Sequence, residues 1–430
     1  MNLDNKNIGI LGLGLSGYWA ARLANSRGAN VFISDSGSNI DEIYIKKLES
    51  MKIDMELGNH SNKILNSDLI IKSPGVSNSA KVIQDALKND IEIIGEIEFA
   101  YRLSDIKIIA VTGTNGKTTV VTALNDILNQ SFNVLKGGNI GLPFSQLVWE
   151  NNLFPDQKHY YDYIVLEVSS FQAEDIMSFK PNIAIILNLS EDHLDVHKTY
   201  NNYRNAKLNL FKNMDKEDFA IYNSENTDLK KYFKDISKKT NVLTFSSNAN
   251  RDTLYQNLNN IAIDKVASLL DIDKKLTSNF LKDFKGLEHR FEIFKKTNNI
   301  TFINDSKSTN GLSIKSALSN CIDLKISSIV LILGGKSKGI DYPNYIHSLS
   351  LNIKIVAYGE AADEIKNKLT KYNVDIRKEF NHAVHHAIKI SEEFKMDGIL
   401  LSPGCSSFDQ FDNFEHRGNV FKDIVEEYYS

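Results

Sequence analysis

The feature that most constrains this chain is a strand, glycine-rich loop and helix pattern that occurs twice. Near the amino terminus the apolar segment NIGIL runs into GLGLSG, and from residue 106 the segment IKIIAV runs into TGTNGKTT. An apolar strand followed at once by a glycine-rich turn and a helix is typical of α/β proteins that bind nucleotides or phosphate. One domain rarely carries two such loops, so the sequence predicts separate α/β units.

Short β-branched runs alternate with amphipathic stretches along all 430 residues, which indicates parallel sheets covered by helices. A further unit follows Gly286 and opens with the short strands FEIFKK and ITFIND. We therefore expect an α/β fold of three domains joined by short linkers. These are a Rossmann-like domain at 1–104, a phosphate-loop ATP-binding domain at 105–286 and a small α/β domain at 287–430.

Composition excludes several classes of protein. The 50 Lys and Arg against 54 Asp and Glu give a net charge of −4, which argues against nucleic-acid binding through bulk basicity. Cys321 and Cys405 lie outside any CxxC or Cys/His cluster, so we expect neither a disulfide framework nor a zinc site, and a reducing cytoplasm as the location. The apolar runs are shorter than the ~20 residues that span a bilayer, so no membrane insertion is expected.

The second glycine-rich loop predicts an ATP site. Backbone N–H groups of such a loop point at phosphate oxygens, Lys117 can reach the terminal phosphates, and the Thr118 hydroxyl can ligate magnesium. Val111 occupies the first glycine position of the GxxxxGK[ST] pattern, so an ordinary glycine-rich turn is the alternative. The residues that we assign to ATP here are Gly113, Thr114, Asn115, Gly116, Lys117, Thr118 and Thr119.

Magnesium needs further oxygen ligands, and strand ends in the same domain provide candidates. Glu167 ends the apolar strand YDYIVLE, where an acidic residue ends the corresponding strand of other phosphate-loop enzymes. The neighbouring strand NIAIILNLS runs into EDHLDVH, which places His193 beside the same crevice, with His197 as the weaker candidate. A solvated glutamate at a strand end is the alternative interpretation of Glu167.

The first loop fits a dinucleotide fingerprint, with Gly12, Gly14 and Gly17 between a strand and a helix and Asp35 at the end of the next strand. Alone it favours a nicotinamide-dependent oxidoreductase, or simply a tight packing turn. A dehydrogenase has no need of a second, ATP-binding site. An enzyme that joins a nucleotide-linked substrate to another molecule at the expense of ATP needs both loops.

Eight segments, in order, resemble the Mur ligase family of peptidoglycan synthesis, and they extend over the whole chain. They are TGTNGKTT, LEVSSFQ, NLSEDHLDVH, YRNAKLNLF, GLEHRFE, INDSKSTN, LGGKSKGID and LSPGCSSFDQF. The resemblance implies an ATP-dependent amide ligase that works through an acyl phosphate and releases ADP and phosphate. GLGLSG together with SPGCSSFDQF is most similar to the members that add D-glutamate to UDP-N-acetylmuramoyl-L-alanine.

The resemblance also implies which residues hold the nucleotide substrate. The muramoyl part would contact Asn139 in the GGNIG turn, and His193 would lie near the reacting carboxylate. The residues implied for uracil and diphosphate are Leu15, Ser16, Asp35, Ser36, Ser73, Pro74 and Gly75.

For ATP, the resemblance implies adenine contacts at Asn257 and Asn260, and phosphate and ribose contacts at Arg290 and Asp305. Lys207 matches a lysine that the family carbamylates, since a carbamate is an anionic ligand where a free ammonium would repel magnesium. Periodicity alone would make Lys207 a surface residue of an amphipathic helix. The implied ligands of two magnesium ions are Thr118, Glu167, His193 and carbamylated Lys207.

The implied D-glutamate contacts lie in the third domain. A substrate with two carboxylates needs cationic and hydroxyl donors at both ends, and its amine must stay free to attack. The residues are Lys307, Thr309, Lys338, Ser407 and Phe414. The choice of Lys338 over Lys336 stays open, and Cys405 is not expected to act as a nucleophile.

The sequence leaves the base that deprotonates the amine open, with His193 and a substrate phosphate oxygen as candidates. Contributions from three domains imply closure around the substrates, with a hinge near Gly286. We expect a monomer that acts on small molecules.

Four alternatives compete with this interpretation. Another amino-acid-adding Mur ligase is the nearest, although the chain lacks the DNPR segment of diaminopimelate recognition. Folate polyglutamylation shares the central domain but lacks a dinucleotide-like first domain. A nicotinamide-dependent oxidoreductase would use GLGLSG and Asp35. A non-catalytic nucleotide-binding module would have lost its metal and phosphate residues, whereas Lys117, Glu167 and Lys207 are all present.

Overall fold

The computed structural model describes residues 1–37, 40–152, 161–246, 258–297, 299–337, 339–347 and 350–430. The chain forms two compact units, 1–283 and 284–430. The first unit contains two sheets and the second contains one. Within the described residues, no helix has both the length and the apolar character that crossing a membrane requires.

The N-terminal part of the first unit is a parallel sheet covered by helices. Its strands are β1 (Asn7–Leu11), β2 (Asn30–Asp35), β3 (Asp54–Leu57), β4 (Leu69–Lys72) and β5 (Glu92–Gly95). Its helices are α1 (Leu15–Ser26), α2 (Glu42–Ser50), α3 (Lys81–Lys88) and α4 (Glu96–Tyr101), with a 3-10 turn at Asn62–Asn66. The strand order β3-β2-β1-β4-β5 reverses direction at β1, beside the first glycine-rich loop. Such a reversal point is where open α/β sheets bind ligands.

The central part of the first unit is a second parallel sheet. Its strands are β6 (Lys107–Thr112), β7 (Val134–Gly138), β8 (Tyr163–Glu167), β9 (Ile183–Ile186), β10 (Phe219–Asn223) and β11 (Asn241–Phe245). Its helices are α5 (Lys117–Leu128), α6 (Phe144–Asn151), α7 (Ser170–Glu174), α8 (Leu194–His197), α9 (Tyr200–Leu208), α10 (Thr227–Ile236), α11 (Leu258–Leu269) and α12 (Lys274–Asp283), with a 3-10 turn at Asn209–Phe211. In the order β11-β10-β9-β6-β8-β7, strand β6 lies between β8 and β9, so the carboxyl ends of these three strands meet.

The second unit holds one sheet in the order β12-β13-β17-β14-β15-β16. Its strands are β12 (Glu292–Thr297), β13 (Ile300–Asn304), β14 (Ser328–Gly334), β15 (Asn352–Tyr358), β16 (Val374–Ile376) and β17 (Gly398–Gly404). Its helices are α13 (Gly311–Asp323), α14 (Tyr342–Ile346), α15 (Ala362–Lys368), α16 (Phe380–Glu393) and α17 (Phe414–Tyr428). Strands β12 and β13 pair antiparallel, whereas the other pairs are parallel.

The two sheets of the first unit share a continuous apolar core. Trp19 on α1 lies 5.3 Å from Trp149 on α6, and the guanidinium of Arg22 lies over both rings. The side chain of Glu98 on α4 is buried and accepts hydrogen bonds from the backbone N–H groups of Ser178 and Phe179 at 2.8–3.0 Å. Apolar burial and a satisfied carboxylate together hold the N-terminal sheet on the central one. The predicted α/β class is confirmed.

Candidate active site

The loop between β6 and α5 has the backbone of a phosphate-binding loop. Gly116 caps the start of α5 with a φ of 86°, in the left-handed region that favours glycine. A Cβ at Gly116 would lie 2.8 Å from the side-chain oxygen of Asn259 on α11. The first N–H groups of a helix have no acceptor within the helix, and the helix dipole adds positive potential. The end of α5 at this loop is therefore suited to an anion.

The loop is braced by the strand end next to it. The backbone N–H of Asn115 donates to the side-chain oxygen of Asn188 at 2.8 Å, and the Asn188 amide donates back to the Asn115 carbonyl at 3.0 Å. The hydroxyl of Thr114 donates to the Ser190 carbonyl at 3.2 Å and lies 3.0 Å from the Tyr203 hydroxyl. Asn188 and Tyr203 were not among the predicted site residues, although they lie within the family-like segments NLSEDHLDVH and YRNAKLNLF.

Glu167 connects the phosphate loop to the turn after β7. One oxygen of its buried carboxylate accepts from the Thr118 hydroxyl at 2.7 Å, and the other accepts from the Asn139 amide at 3.0 Å. The backbone N–H of Asn139 also donates to the Glu167 carbonyl at 2.8 Å. Residues that were predicted for ATP and for the muramoyl substrate therefore both contact the carboxylate that was predicted for magnesium.

Lys207 is buried on α9, with 2% of its surface exposed, and not on a solvated helix face. Its ammonium nitrogen donates to the Gly113 carbonyl at 2.9 Å and lies 4.8 Å from the centre of the Tyr203 ring. Burial, followed by the like charge of Lys117, holds the pKa of Lys207 well below the ordinary lysine value. The structure thus places a lysine with a lowered pKa against the phosphate loop.

The two histidines differ in their surroundings. His193 lies at the start of α8 with a φ of 52°, and its side chain is half exposed and packs edge-on against Phe171. His197 is buried, stacks on Phe171 and lies 2.9 Å from the Ser170 hydroxyl. His193 is therefore the one that is open to solvent, while His197 is engaged in packing.

In the N-terminal sheet the first glycine-rich loop is tightly folded. Gly12 has a φ of 90°, and a Cβ at Gly17 would lie 1.9 Å from the Gly12 carbonyl oxygen. Asp35 accepts from the backbone N–H groups of Leu13 and Gly37 at 2.5 and 2.6 Å, so it shapes two loops at once. The Ser73 hydroxyl donates to the Gly12 carbonyl at 3.0 Å.

The remaining residues predicted for uracil and diphosphate surround this loop. Leu15, Ser36 and Gly75 are exposed, whereas Ser16 and Pro74 are partly buried. All belong to loops or helix starts at the carboxyl ends of β1, β2 and β4. The predicted nucleotide residues of this sheet therefore lie along one edge of it.

In the second unit, Asp305 and its neighbours form a polar site at the end of β13. The Asp305 carboxylate accepts from the Ser402 hydroxyl at 2.9 Å and from the Phe291 backbone N–H at 3.1 Å. Burial raises the pKa of Asp305 to about 7, although the nearby Arg290 opposes the shift. Lys307 lies with its ammonium 4.0 Å from the centre of the Phe414 ring.

A buried arginine supports this site and was missed by sequence analysis. The guanidinium of Arg417 is fully buried and donates to the carbonyl oxygens of Ser306 and Cys405 at 2.7 and 3.2 Å. It fixes the backbone just before two of the predicted D-glutamate residues, Lys307 and Ser407. Cys405 is buried with its sulfur 3.2 Å from the Tyr342 hydroxyl, a structural environment.

Other predicted residues of the second unit are connected to this support by the chain or by a backbone hydrogen bond. Ser407 is buried, Thr309 is partly buried, and Lys336 is exposed with its backbone N–H bonded to Ser406 at 2.9 Å. Asn260 is partly buried on α11 of the first unit. The predictions at Asn257 and Lys338 fall outside the described residues.

Glu288, His289 and Glu292 have ligand atoms within 4.8 Å of one another, a spacing that would suit a metal ion. Lys422 forms ion pairs with both glutamates, and His289 lies 2.9 Å from the Asn304 amide. These groups already have partners, so we do not assign this cluster to a metal.

Comparison with known families matches most of the chain. The Mur ligase MurD-like N-terminal domain matches residues 6–95, the Mur ligase middle domain 111–281, and the Mur ligase glutamate ligase domain 289–405. These segments include the phosphate loop, Glu167 and Lys207 as well as the third-domain residues up to Cys405.

Curated relatives align along almost the whole chain. A UDP-N-acetylmuramoylalanine--D-glutamate ligase from Thermoanaerobacter pseudethanolicus is 34% identical over 99% of both chains. Ligases of the same name from Elusimicrobium minutum and Staphylococcus epidermidis are 36% and 34% identical over 96% and 98% of this chain, and 96% and 97% of their own.

Solved structures share the fold at lower identity. MurF from Acinetobacter baumannii has a TM-score of 0.62 and 16% identity, covering 92% of this chain and 90% of its own. The MurF ligase from Thermotoga maritima in complex with ADP has a TM-score of 0.60 and 14% identity, covering 99% and 96%. These likenesses support the architecture described above.

Proposed function

This chain belongs to the Mur ligase family, and we propose that it joins D-glutamate to UDP-N-acetylmuramoyl-L-alanine in an ATP-dependent step of peptidoglycan precursor synthesis. The observation that carries the proposal is the position of Glu167. Its carboxylate contacts Thr118 of the phosphate loop and Asn139 of the turn assigned to the muramoyl substrate. ATP and the acyl substrate would thus meet at one buried carboxylate.

The identity of the acceptor rests on the relatives. Ligases named for D-glutamate align with 99% of this chain, including the third domain that would bind the acceptor. Lys307 lies beside Phe414 and would supply a cationic donor for a dicarboxylate. The hydroxyls of Thr309, close to Lys307 in the chain, and of Ser407, close to Phe414, would supply further donors. Lys338 or Lys336 would serve the second carboxylate.

The residues at the phosphate loop fit magnesium. Magnesium prefers oxygen ligands and keeps several waters, and the Thr118 hydroxyl and the Glu167 carboxylate are 2.7 Å apart. Phosphate oxygens of ATP and the accessible ring of His193 would complete the ligands of two ions. When bound, magnesium would neutralise charge on the transferring phosphoryl group.

Carbamylation of Lys207 would add an anionic ligand to this site. The neutral amine attacks carbon dioxide, a C–N bond forms, and one proton is released, which leaves an N-carboxylate. The lowered pKa of Lys207 favours the neutral amine that this reaction needs. The carbamate would then face Lys117 as an opposite charge rather than a like one.

The proposed reaction has two steps, activation of the substrate carboxylate and attack by the amine. The substrate carboxylate attacks the γ-phosphorus of ATP, ADP leaves, and an acyl phosphate forms. The amine of D-glutamate then attacks the acyl carbon, phosphate leaves, and the amine gives up a proton. Lys117 at the phosphate loop, together with Arg290 from the second unit, would stabilise charge on the transferring group. Because the reaction consumes ATP, we propose that it takes place in the cytoplasm.

A phosphate-release assay with purified protein tests the proposal. UDP-N-acetylmuramoyl-L-alanine and ATP are supplied with D-glutamate, L-glutamate, L-lysine or diaminopimelate as the acceptor. We expect release that requires both the nucleotide substrate and D-glutamate. Release with another acceptor would keep the family but overturn the acceptor, and no release with any acceptor would overturn the proposal.

A further inference from the structure

A buried lysine that the proposed mechanism does not use lies beneath the turn after β4. Lys72 is the last residue of β4, and only 4% of its surface is exposed. Its ammonium donates to the Val76 carbonyl at 3.2 Å and to the Asn78 side-chain oxygen at 2.7 Å, and it pairs with the Asp175 carboxylate at 2.8 Å. An ammonium has three protons to donate, so these acceptors match its full capacity.

The turn above Lys72 is held at both ends. At its start, the Ser73 backbone N–H donates to Leu11 at 2.9 Å, and the Ser73 hydroxyl donates to Gly12 at 3.0 Å. At its far end, Lys72 holds Val76 and Asn78. The residues between these anchors include the Ser73-Pro74-Gly75 turn that the proposed function assigns to uracil and diphosphate.

The third partner of Lys72, Asp175, belongs to the central part of the first unit. Asp175 directly follows α7, and its other oxygen accepts from the Asn78 amide at 3.3 Å. Helix α7 starts three residues after Glu167, at Ser170. The carbonyl of Ala173 on α7 accepts from Asn209 at 2.7 Å, two residues after Lys207. Asp175 therefore lies on a segment that leads to both Glu167 and Lys207.

We propose that Lys72 is a positioning residue for the nucleotide substrate: it fixes the turn that holds the uridine diphosphate relative to the central-sheet segment after Glu167. The inference rests on the proposed function, because it assumes that this turn binds the nucleotide. Lys72 itself is shielded by the turn, so it acts through Val76 and Asn78 and not by contact with the reacting atoms. Lys72 is buried and Asp175 is partly buried, so removing one member of the pair would leave a poorly solvated, unpaired charge that disturbs the turn.

The test compares Lys72→Met with the wild type. Met keeps most of the length of the side chain but donates no hydrogen bonds. We expect the KM for UDP-N-acetylmuramoyl-L-alanine, and its Kd by calorimetry without ATP, to rise about tenfold. The KM values for ATP and D-glutamate should stay as in the wild type.

Two further variants keep the test decisive if Lys72→Met folds poorly. Lys72→Met combined with Asp175→Asn removes the unpaired charge, so it should regain stability while the nucleotide KM stays high. Asn78→Ala removes one acceptor on the exposed side of the turn and should raise the same KM to a smaller extent. Lys180→Met is the matched control. The Lys180 ammonium pairs with the Asp215 carboxylate at 2.7 Å and contributes nothing to the turn after β4, so this variant should leave the nucleotide KM unchanged.

The outcomes are distinct. A folded Lys72→Met protein with wild-type KM and Kd for the nucleotide would overturn the positioning role and leave the proposed function intact. Equal rises in the KM of all three substrates would also overturn it, because they indicate a general structural defect. Failure of the wild-type protein to bind the nucleotide would overturn the proposed function itself.

Discussion

Lys117 and Lys207 donate to the same acceptor, the carbonyl oxygen of Gly113, each at 2.9 Å. Two ammonium groups on one oxygen repel each other, and the repulsion is strongest where water is excluded. Lys117 begins α5 and is partly exposed, whereas Lys207 is buried, so Lys207 is the one whose neutral form is favoured. The lowered pKa of Lys207 increases the share of neutral amine, which is the form that the proposed carbamate requires.

Replacing Lys207 with alanine should lower kcat about a hundredfold or more, because the proposed anionic magnesium ligand is lost. With 13C-bicarbonate, the wild-type protein should show a carbamate carbon resonance by NMR that is missing in Lys207→Ala. Lys136→Ala, an exposed lysine of the same sheet, is the control and should keep both the resonance and the activity. A resonance that persists in Lys207→Ala would place the carbamate elsewhere.

Asp305 should make the second unit lose stability as pH rises. Burial raises its pKa to about 7, while an unfolded aspartate titrates near pH ~4. The folded chain holds the proton more tightly, so the stabilising contribution is complete below pH ~4 and is lost as pH rises towards about 7. Asp305→Asn should therefore gain thermal stability relative to the wild type between pH ~5 and pH ~8.

The matched control for this pH dependence is Asp423→Asn, which changes an exposed aspartate on α17 of the same unit. Its melting temperature should follow the wild type at each pH. Parallel pH profiles of wild type and Asp305→Asn would show that the carboxyl group is ionised in the folded protein throughout this range.

At the scale of elements, the two glycine-rich loops differ in what their glycines do. At the first loop Gly17 allows α1 to approach the Gly12 carbonyl closely, so its role is packing. At the second loop Gly116 provides a left-handed residue that starts α5. The same strand–loop–helix pattern thus gives close strand–helix packing in one sheet and a phosphate-type helix start in the other.

Gly17→Ala should destabilise the N-terminal sheet by about 1–3 kcal/mol, since its Cβ would overlap the Gly12 carbonyl oxygen. Gly14→Ala is the matched control within the same loop, because a Cβ there would meet no atom within 4 Å. Urea unfolding midpoints of the two variants measure the difference. Equal midpoints would contradict the close approach of α1 to β1.

Elements with a strong periodic signal could be predicted from the sequence. The strands β1, β6, β8 and β9 are apolar runs that end at glycine, acidic or polar residues, so their ends mark the site. Strand β3, with the residues DMEL, is only partly buried and has no apolar run to identify it. Glu98 on α4 was also unpredictable, because its charge suggests a surface position and only tertiary contacts bury it.

The candidate site was predicted where a residue follows directly from a strand end, as with Glu167 and Thr118. Periodicity alone would have left Lys207 on the surface, and only the resemblance to the Mur ligases assigned it a role. The roles of Lys72 and Asn188 could not be found from the sequence, because each depends on a partner that is distant in the chain. Lys72 pairs with Asp175, and Asn188 pairs with Asn115, 73 residues before it.

For the whole molecule, residues proposed for one ATP lie in both compact units, with Lys117 in the first and Arg290 in the second. From this assignment we predict that the units close around the substrates, and the unit boundary at Asp283–Phe284 lies next to the predicted hinge at Gly286. Solution scattering with ATP analogue and nucleotide substrate should therefore give a smaller radius of gyration than the free protein. Identical scattering profiles would count against closure.

The central claim is that ATP activates the carboxylate of a nucleotide substrate for ligation to D-glutamate. The most direct test supplies UDP-N-acetylmuramoyl-L-alanine with 18O in its alanyl carboxylate, together with ATP and D-glutamate, and measures both products by mass spectrometry. The account predicts one labelled oxygen in the released phosphate and one in the new amide, because the acyl phosphate passes one carboxylate oxygen to phosphate. Unlabelled phosphate, or a nucleotide product that lacks D-glutamate, would contradict it.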